Sequence, residues 1–300
     1  MSCRLAVVIP AYKEDFLWET LESVARQTCT DFRLYVGDDT GSGRLEQIVN
    51  SFNERIDIVY RKFDENIGLS DLAAQWERCI KLTTGEEYIW LFSDDDLMPD
   101  EGVALFYKKV DEEIKYDLYR FNIRQIDSKG IFISERTDHP EIESSENFIY
   151  RRLKGETLSA ACEYIFSRKA FDKAGGFVNF PLAWYSDDAS WYLFSHDSGI
   201  FTITGDPVLW RLSQTNISNP EWERRKKYKA TLMFHSWLKG QNISQKINEL
   251  IPFSIRRQTG ILNISLSMFI SNLHEICFLV SIREILRIWL LILKRSNQFS

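Results

Sequence analysis

Four short apolar runs, separated by segments with helical spacing, set the pattern of the first hundred positions. The runs occupy positions 5–9, 32–36, 56–60 and 88–92. Their β-branched and aromatic residues are typical of strands that are buried on both faces of a sheet. The intervening segments near 16–27 and 70–82 repeat apolar residues at the period of a helix. Strands that alternate with helices predict an α/β protein with a doubly wound sheet and right-handed crossovers.

The fourth apolar run ends abruptly in three consecutive carboxylates, Asp94, Asp95 and Asp96. In an open α/β sheet, ligands bind outside the carboxyl ends of the strands. Adjacent like charges repel one another and resist burial, so we expect a cation beside them. Mg²⁺ and Mn²⁺ prefer oxygen ligands and are often held by one or two carboxylates together with substrate phosphates. The alternative is a solvated acidic turn at the start of the helix near Asp100.

A second strand also ends in paired carboxylates, Asp38 and Asp39, which are followed by Gly41 and Gly43. Glycines allow the backbone to approach a ligand closely, although an ordinary turn before a helix has the same composition. The chain has neither GxGxxG after its first strand nor GxxxxGK[ST], which argues against a Rossmann dinucleotide site and a P-loop. Two acidic strand ends in one sheet favour a nucleotide that is held by a metal ion and by Asp side chains.

Residues 101–220 have a less regular pattern. We predict strands at 118–126, 161–166 and 207–212, a helix at 168–174 and a loop in the acidic stretch 138–146.

Two candidate groups lie late in this region. Asp187 and Asp188 open a helix, where they are either a general base beside an orienting acid or carboxylates that favour the helix dipole. Arg211 either meets a phosphate or pairs with one of the many carboxylates.

The charge of the chain is asymmetric. The net charge is −6, yet residues 221–300 contain 13 Lys and Arg against 5 Asp and Glu. A basic tail on an acidic body suggests an anionic partner for the tail and argues against nucleic acid as a partner of the body. Segment 255–295 is rich in Ile and Leu but is interrupted by charges, which predicts an interfacial helix on a membrane surface and not a spanning one. The alternative is a helix that docks on the body.

Cysteine usage indicates the compartment. Five cysteines are scattered without a CxxC pair, which favours a reducing environment. No signal peptide precedes the first strand, so we expect a cytoplasmic protein, peripheral on the inner membrane face if the tail binds membrane.

The ordered set of segments resembles the family 2 inverting glycosyltransferases of the GT-A fold. Residues 7–12 are similar to the opening strand and loop of that family, and 38–42 to its nucleotide-binding DDGS element with Thr40 inserted. Asn66 and Gly68 match its N-x-G turn. Residues 93–99 match the DSDD-xxx-P signature around its metal-binding DxD motif, although Phe92 stands where the first Asp is usual.

Later segments of the chain extend the resemblance to about residue 220. Residues 175–177 followed by Asp187, Asp188 and Trp191 are similar to the GGF…ED-xx-W element, with Asp187 in place of the usual Glu. Arg211 falls in the late R-x-H region, where Ser213 replaces the usual His.

The resemblance implies a GT-A-like doubly wound mixed sheet with a C-terminal helical extension. It implies a UDP- or GDP-linked sugar donor, a glycan or lipid-linked acceptor and hexosyl transfer in surface polysaccharide or glycan assembly. Residues 1–100 would bind the donor, residues 101–220 would bind the acceptor and hold the base, and residues 221–300 would form the tail. A nucleotidyltransferase and a non-catalytic sugar-nucleotide-binding scaffold are the alternatives.

The resemblance also implies residue roles. Asp95, with Asp94 and Asp96, would hold Mn²⁺ or Mg²⁺; Asp188 would be the base beside Asp187; and Asp39 would contact the nucleobase or ribose. The other nucleotide-binding candidates are Pro10, Ala11, Tyr12, Glu14, Asp38, Asn66, Gly68, Asp94 and Arg211.

Overall fold

The computed structural model describes residues 3–213 and 223–259. Its strands are β1 (Leu5–Ala11), β2 (Arg33–Asp38), β3 (Ile58–Lys62), β4 (Tyr88–Leu91), β5 (Leu118–Arg120), β6 (Ile123–Ile126), β7 (Ile142–Glu143), β8 (Tyr164–Ser167), β9 (Ile200–Thr202) and β10 (Val208–Arg211). Its helices are α1 (Leu17–Ala25), α2 (Glu46–Asn50), α3 (Leu72–Ile80), α4 (Gly102–Val110), α5 (Ser145–Lys154), α6 (Arg168–Ala174), α7 (Ser186–Phe194), α8 (Arg224–Lys239) and α9 (Gln245–Thr259).

Within these residues, eight strands form one mixed sheet in the order β3-β2-β1-β4-β8-β5-β9-β7. The first four strands are parallel, whereas β8 and β7 run antiparallel to their neighbours. The strand order reverses between β1 and β4, and such a switch point leaves a crevice at the carboxyl ends of the two strands. The predicted α/β fold with a mixed sheet is confirmed.

Both faces of the central strands β1, β2 and β4 are buried, as their continuous apolar runs predicted, whereas the edge strand β3 is partly exposed. On β1, Ala6 and Val8 belong to the hydrophobic cluster that contains the apolar faces of α3, α5, α6, α7 and α8. Leu5, Val7 and Ile9 belong to the cluster on the opposite face, which contains those of α1, α2 and α4. Successive side chains of a strand point to opposite faces, so one short apolar run contributes to two cores.

The predicted strand at 118–126 was wrong as a single element. It divides after Arg120: β5 joins the large sheet, while β6 pairs in parallel with β10 in a separate two-stranded sheet. At the division, Phe121 stacks on Trp90 with ring centroids 5.3 Å apart. Beside it, the Asn122 side chain accepts a hydrogen bond of 3.0 Å from the His139 backbone N–H. These contacts lie where the chain leaves the large sheet.

The acidic stretch 138–146, which we expected to be a loop, contains β7 and the first residues of α5. Ser144 caps α5, since its hydroxyl accepts a hydrogen bond of 3.2 Å from the Asn147 N–H. The capping residue was visible in the sequence, but the acidic composition around it obscured the helix start.

The C-terminal part consists of α8 and α9, which pack against α5 and α7. None of the helices in the described ranges is long and apolar enough to cross a bilayer. The predicted membrane-contacting segment 255–295 lies almost wholly outside the described residues.

Two consecutive glycines end α6. Gly175 and Gly176 have φ angles of 77° and 101°, and their N–H groups return to Asp172 O and Phe171 O. A Cβ atom at Gly176 would lie 2.3 Å from Glu77 Oε1, whereas a Cβ at Gly175 would meet nothing within 4 Å. Glycine is therefore required at the first position by backbone conformation and at the second by space as well.

This contrast predicts unequal costs for two neighbouring substitutions. Gly175→Ala is expected to cost about 1–2 kcal/mol, the strain of a left-handed backbone. Gly176→Ala is expected to cost more, because it also displaces the Glu77 carboxylate. Urea unfolding of the two variants measures the difference, and equal losses of stability would contradict the crowding at Gly176.

Candidate active site

A cleft of about 440 Å³ opens at the carboxyl ends of β1 and β4, where the strand order reverses. Of the residues predicted from the sequence, it is lined by Pro10, Ala11, Tyr12, Glu14, Asp39, Gly68, Asp94, Asp95 and Asp96. Two elements that are distant in sequence, the loop after β1 and the acidic loop after β4, thus form one wall. Asp38, Asn66, Asp187, Asp188 and Arg211 do not line this cleft.

Backbone groups fix the outer members of the acidic triplet. Asp94 Oδ2 accepts hydrogen bonds of 2.7 and 2.6 Å from the N–H groups of Tyr12 and Lys13. Asp96 Oδ1 accepts one of 2.7 Å from the Arg211 N–H, and its carbonyl accepts one of 2.9 Å from Thr20 Oγ1. Both carboxylates therefore act as anchors that hold the loop against β1 and β10.

Asp95 differs from its two neighbours, because its partner is the side chain of Lys13 and not a backbone group. The Lys13 ammonium contacts Asp95 Oδ2 and lies 3.7 Å from Asp94 Oδ1. Burial and then the charge of Asp96 raise the pKa of Asp95 to about 7, although Lys13 opposes this shift. The Asp95 carboxylate lines the cleft and is paired with a flexible lysine, so it can exchange the lysine ammonium for another cation.

The donor set fits a divalent cation that brings other ligands with it. No group of three or more His, Cys, Asp or Glu side chains within the described ranges could hold a metal ion. A cation in the cleft would therefore rely on one or two carboxylates and take its remaining oxygens from a diphosphate and water, as Mg²⁺ and Mn²⁺ commonly do. Asp95 is the carboxylate best placed to hold it.

Arg211 lies beneath the acidic loop with its side chain fully buried. Its guanidinium donates to Asp95 O at 2.8 Å and to Glu19 Oε2 at 2.6 Å. Of the two alternatives, a phosphate contact and a carboxylate contact, the structure shows the carboxylate contact. Arg211 thus supports the loop from below.

The Asp39 side chain joins β2 to the turn before α3. It accepts hydrogen bonds of 3.2 and 2.8 Å from the N–H groups of Ile67 and Gly68, and it pairs with Arg78. A Cβ atom at Gly68 would lie 2.6 Å from Asp39 Oδ2, so only glycine permits this approach. Asp39 is thereby held in one orientation at the cleft wall.

Two of the predicted nucleotide-binding residues instead shape turns. Asp38 accepts hydrogen bonds from the Thr40 N–H at 2.8 Å and from the Tyr60 hydroxyl at 2.6 Å. Asn66 Oδ1 accepts one of 3.1 Å from the Leu69 N–H. Both side chains hold turns in which nearby residues, Asp39 and Gly68, line the cleft.

Asp187 and Asp188 stand at the start of α7, five and six residues after Leu182 of the cleft wall. Asp188 is buried and accepts two hydrogen bonds from Arg152, of 2.9 and 2.8 Å. Asp187 as a residue is half-buried; the loss of hydration around its carboxylate and then the charge of Asp188 raise its pKa to about 7. The pair therefore combines a carboxylate fixed by an arginine with one that titrates near neutrality.

Sequence reasoning missed several residues of the site. Lys13 and Arg152 carry no spacing signal, because each meets its carboxylate only through the tertiary fold. The missed cleft-lining residues are Lys13, Asp15, Arg44, Leu69, Leu72, Gln75, Trp76, Leu91, Phe92, Ser93, Ala161, Leu182 and Trp210.

Solved structures with the same fold include glycosyltransferases that bind nucleotide-linked sugars. S. aureus TarS 1–349 matches with a TM-score of 0.67 at 16% identity, over 94% of this chain and 82% of that one. Its complex with UDP-GlcNAc matches with 0.70 at 15% identity, over 92% and 82%. The mannosyltransferase PcManGT from Pyrobaculum calidifontis, in complex with GDP-Man and Mn²⁺, matches with 0.55 at 15% identity, over 96% and 83%.

These likenesses define the fold as that of a GT-A glycosyltransferase. The sequence profile of glycosyl transferase family 2 matches residues 6–175, more than half of the chain. The chain therefore belongs to glycosyl transferase family 2, the enzymes that transfer a sugar from a nucleotide-sugar. No curated protein sequence matches it.

The raised pKa of Asp187 predicts how stability depends on pH. Between pH 3.8 and about pH 7, Asp187 is protonated in the folded protein but ionised in the unfolded chain. Protonated Asp187 therefore favours the folded state at low pH, and this stabilisation is lost as the pH rises through 7. Asp187→Asn should therefore be more stable than wild type at pH 8, and the difference should shrink towards pH 4. Urea unfolding across this range measures it.

Asp197→Asn is the control, because the exposed ion pair with Lys173 lowers the pKa of Asp197. Its effect on stability should have the opposite sign. A pH profile of Asp187→Asn that runs parallel to that of wild type would contradict the shift.

Proposed function

We propose that this family 2 glycosyltransferase is a metal-dependent, inverting hexosyltransferase that uses a UDP- or GDP-linked sugar. The observation that carries the proposal is the position of Asp95, which faces the same cleft as Asp39. Asp95 is then available to a cation that is bound to the diphosphate, and Asp39 is accessible to the nucleoside. The acceptor hydroxyl belongs to a glycan or a lipid-linked glycan of surface polysaccharide assembly.

The nucleoside would occupy the part of the cleft beside Asp39. Apolar side chains of Leu69, Leu72 and Trp76 line this part together with Pro10 and Ala11. Ligand sites commonly combine such apolar walls with a few polar groups in fixed positions. TarS has been crystallised with UDP and with UDP-GlcNAc, and PcManGT with GDP-Man, which supports a nucleotide-sugar here but does not select the base.

Asp95 would hold a divalent cation, while Asp94 and Asp96 keep the loop in place. When bound, Mn²⁺ or Mg²⁺ neutralises charge that develops on the departing diphosphate. The Mn²⁺ in the PcManGT complex supports this choice of cofactor.

The Asp187–Asp188 pair would supply the base. In our assignment Asp188 accepts the proton of the acceptor hydroxyl as the oxygen attacks the anomeric carbon, and Arg152 orients its carboxylate. A base that is oriented by a third group is a recurrent arrangement in enzymes. Asp187 is then the second acid of the pair. Residues 1–100 would thus serve the donor and 101–220 the acceptor, with 221–300 as a tail that contacts the membrane surface.

Donor binding should depend on both Mn²⁺ and Asp95. With Mn²⁺, one UDP- or GDP-sugar at about 100 times its Kd should stabilise the wild type by about 2–3 kcal/mol in a thermal-shift series. Asp95→Asn should lose most of this stabilisation, because it removes the charge that faces the cation.

Asp100→Asn is the matched control, because Asp100 is exposed, follows the same loop and does not line the cleft. It should respond like wild type. If no nucleotide-sugar stabilises the wild type with Mn²⁺, the proposal fails. Metal-dependent hydrolysis of the bound donor would separate an enzyme from a non-catalytic binding protein.

Turnover should depend on Asp188. Asp188→Asn should lower kcat by roughly 10²–10⁴-fold, the usual contribution of a positioned base, and leave the donor Kd unchanged. Because removal of one partner of a buried ion pair costs about 3–5 kcal/mol, kinetics must be measured below the Tm of the variant.

Asp187→Asn is the neighbouring variant for comparison, and we expect a smaller loss of kcat from it. A larger loss in Asp187→Asn than in Asp188→Asn would transfer the role of base to Asp187.

A further inference from the structure

Lys13 occupies an unusual position for a lysine at the wall of a cleft. Its backbone N–H donates to Asp94 Oδ2 at 2.6 Å, while its side chain bends back so that Nζ contacts Asp95 Oδ2. The same Nζ lies 3.7 Å from Asp94 Oδ1. The side chain is a quarter exposed and lines the cleft. One flexible residue thus places a positive charge between Asp94 and Asp95 at the cleft wall.

The Lys13 ammonium contacts Asp95, the carboxylate that we propose as the ligand of a divalent cation. Carboxylates this close together and this deeply buried repel each other, and the lysine offsets that repulsion in the ligand-free protein. A Mn²⁺ ion and an ammonium at the same Asp95 oxygen would repel each other, so they compete for it. The lysine stem has four rotatable methylene groups, which let the charge swing within the cleft while the Asp94 hydrogen bond keeps the backbone fixed.

We propose that Lys13 is a built-in counter-ion: its ammonium neutralises Asp95 until a metal–nucleoside diphosphate complex binds, and then turns to the diphosphate oxygens. The inference rests on the proposed function for its second half, the move to the diphosphate. Lysine is a common phosphate ligand and acts there as a point charge. The charge of the cleft therefore stays balanced in both states.

Two consequences follow for binding. Free Mn²⁺ should bind weakly to wild type, because it must displace Lys13 without any diphosphate to receive the ammonium. A nucleoside diphosphate should bind measurably even without metal, because Lys13 can leave Asp95 for it. Metal and nucleotide should therefore each bind more tightly in the presence of the other, by the same factor.

The test is a Mn²⁺ titration without nucleotide, in which electron paramagnetic resonance measures the free ion. Lys13→Met should bind Mn²⁺ at least tenfold more tightly than wild type, and Lys13→Arg should remain close to wild type because it retains the charge. Calorimetry with UDP and GDP in EDTA is the second measurement. There, Lys13→Met should bind the nucleotide that wild type prefers at least tenfold more weakly.

Arg26→Met is the matched control, since Arg26 is an exposed cation that pairs with Asp100 at 3.2 Å and does not line the cleft. It should leave Mn²⁺ affinity unchanged. An unchanged affinity in Lys13→Met, or an equal gain in Arg26→Met, would overturn the counter-ion role. If Lys13→Met does not fold, Lys13→Gln supports the same comparison.

The titration contains no donor and measures no turnover, so its result is independent of transferase activity. A gain in Mn²⁺ affinity with no nucleotide binding by any variant would refute the proposed function and the second half of this inference. It would leave the pairing of Lys13 with Asp95 established.

Discussion

The burial of three adjacent carboxylates at the end of β4 is the constraint on which the rest of the structure depends. Each needs its own compensation: Asp94 takes it from backbone N–H groups of the loop after β1, Asp95 from the Lys13 side chain of the same loop, and Asp96 from β10. Residues some 80 and 115 positions away are thereby drawn to one loop. In the ligand-free protein, three carboxylates remain close together, and only a cation can fully offset their mutual repulsion.

The two acidic strand ends solve the same problem in the same way. At each, the first carboxylate accepts hydrogen bonds that hold a loop and the second lines the cleft: Asp38 and Asp94 are the anchors, Asp39 and Asp95 line the cleft, and Asp94 does both. Paired carboxylates are therefore more than a local excess of charge. The anchor fixes the backbone, and the fixed backbone sets the direction of the second carboxylate.

The sequence predicted the strands of the first half and the carboxylates at their ends, because apolar runs and the charges that end them are local signals. It did not reveal the partners. Lys13, Arg152 and Arg211 meet their carboxylates across long separations, so their roles exist only once the sheet has formed. The division of 118–126 into two strands was hidden for a similar reason, since the residues that contact it, Trp90 and His139, lie outside the segment.

Helix α5, whose start was hidden in a segment predicted to be a loop, connects two parts of the fold. Arg151 in its last turn pairs with Glu143, which is also paired with the buried Arg120 of β5, so the helix is tied to the far edge of the sheet. The next residue, Arg152, reaches in the other direction to Asp188. One helix therefore sets the distance between the sheet edge and the start of α7. The orientation of the Asp187–Asp188 pair is thus a property of the second half of the fold, and the donor cleft is a property of the first.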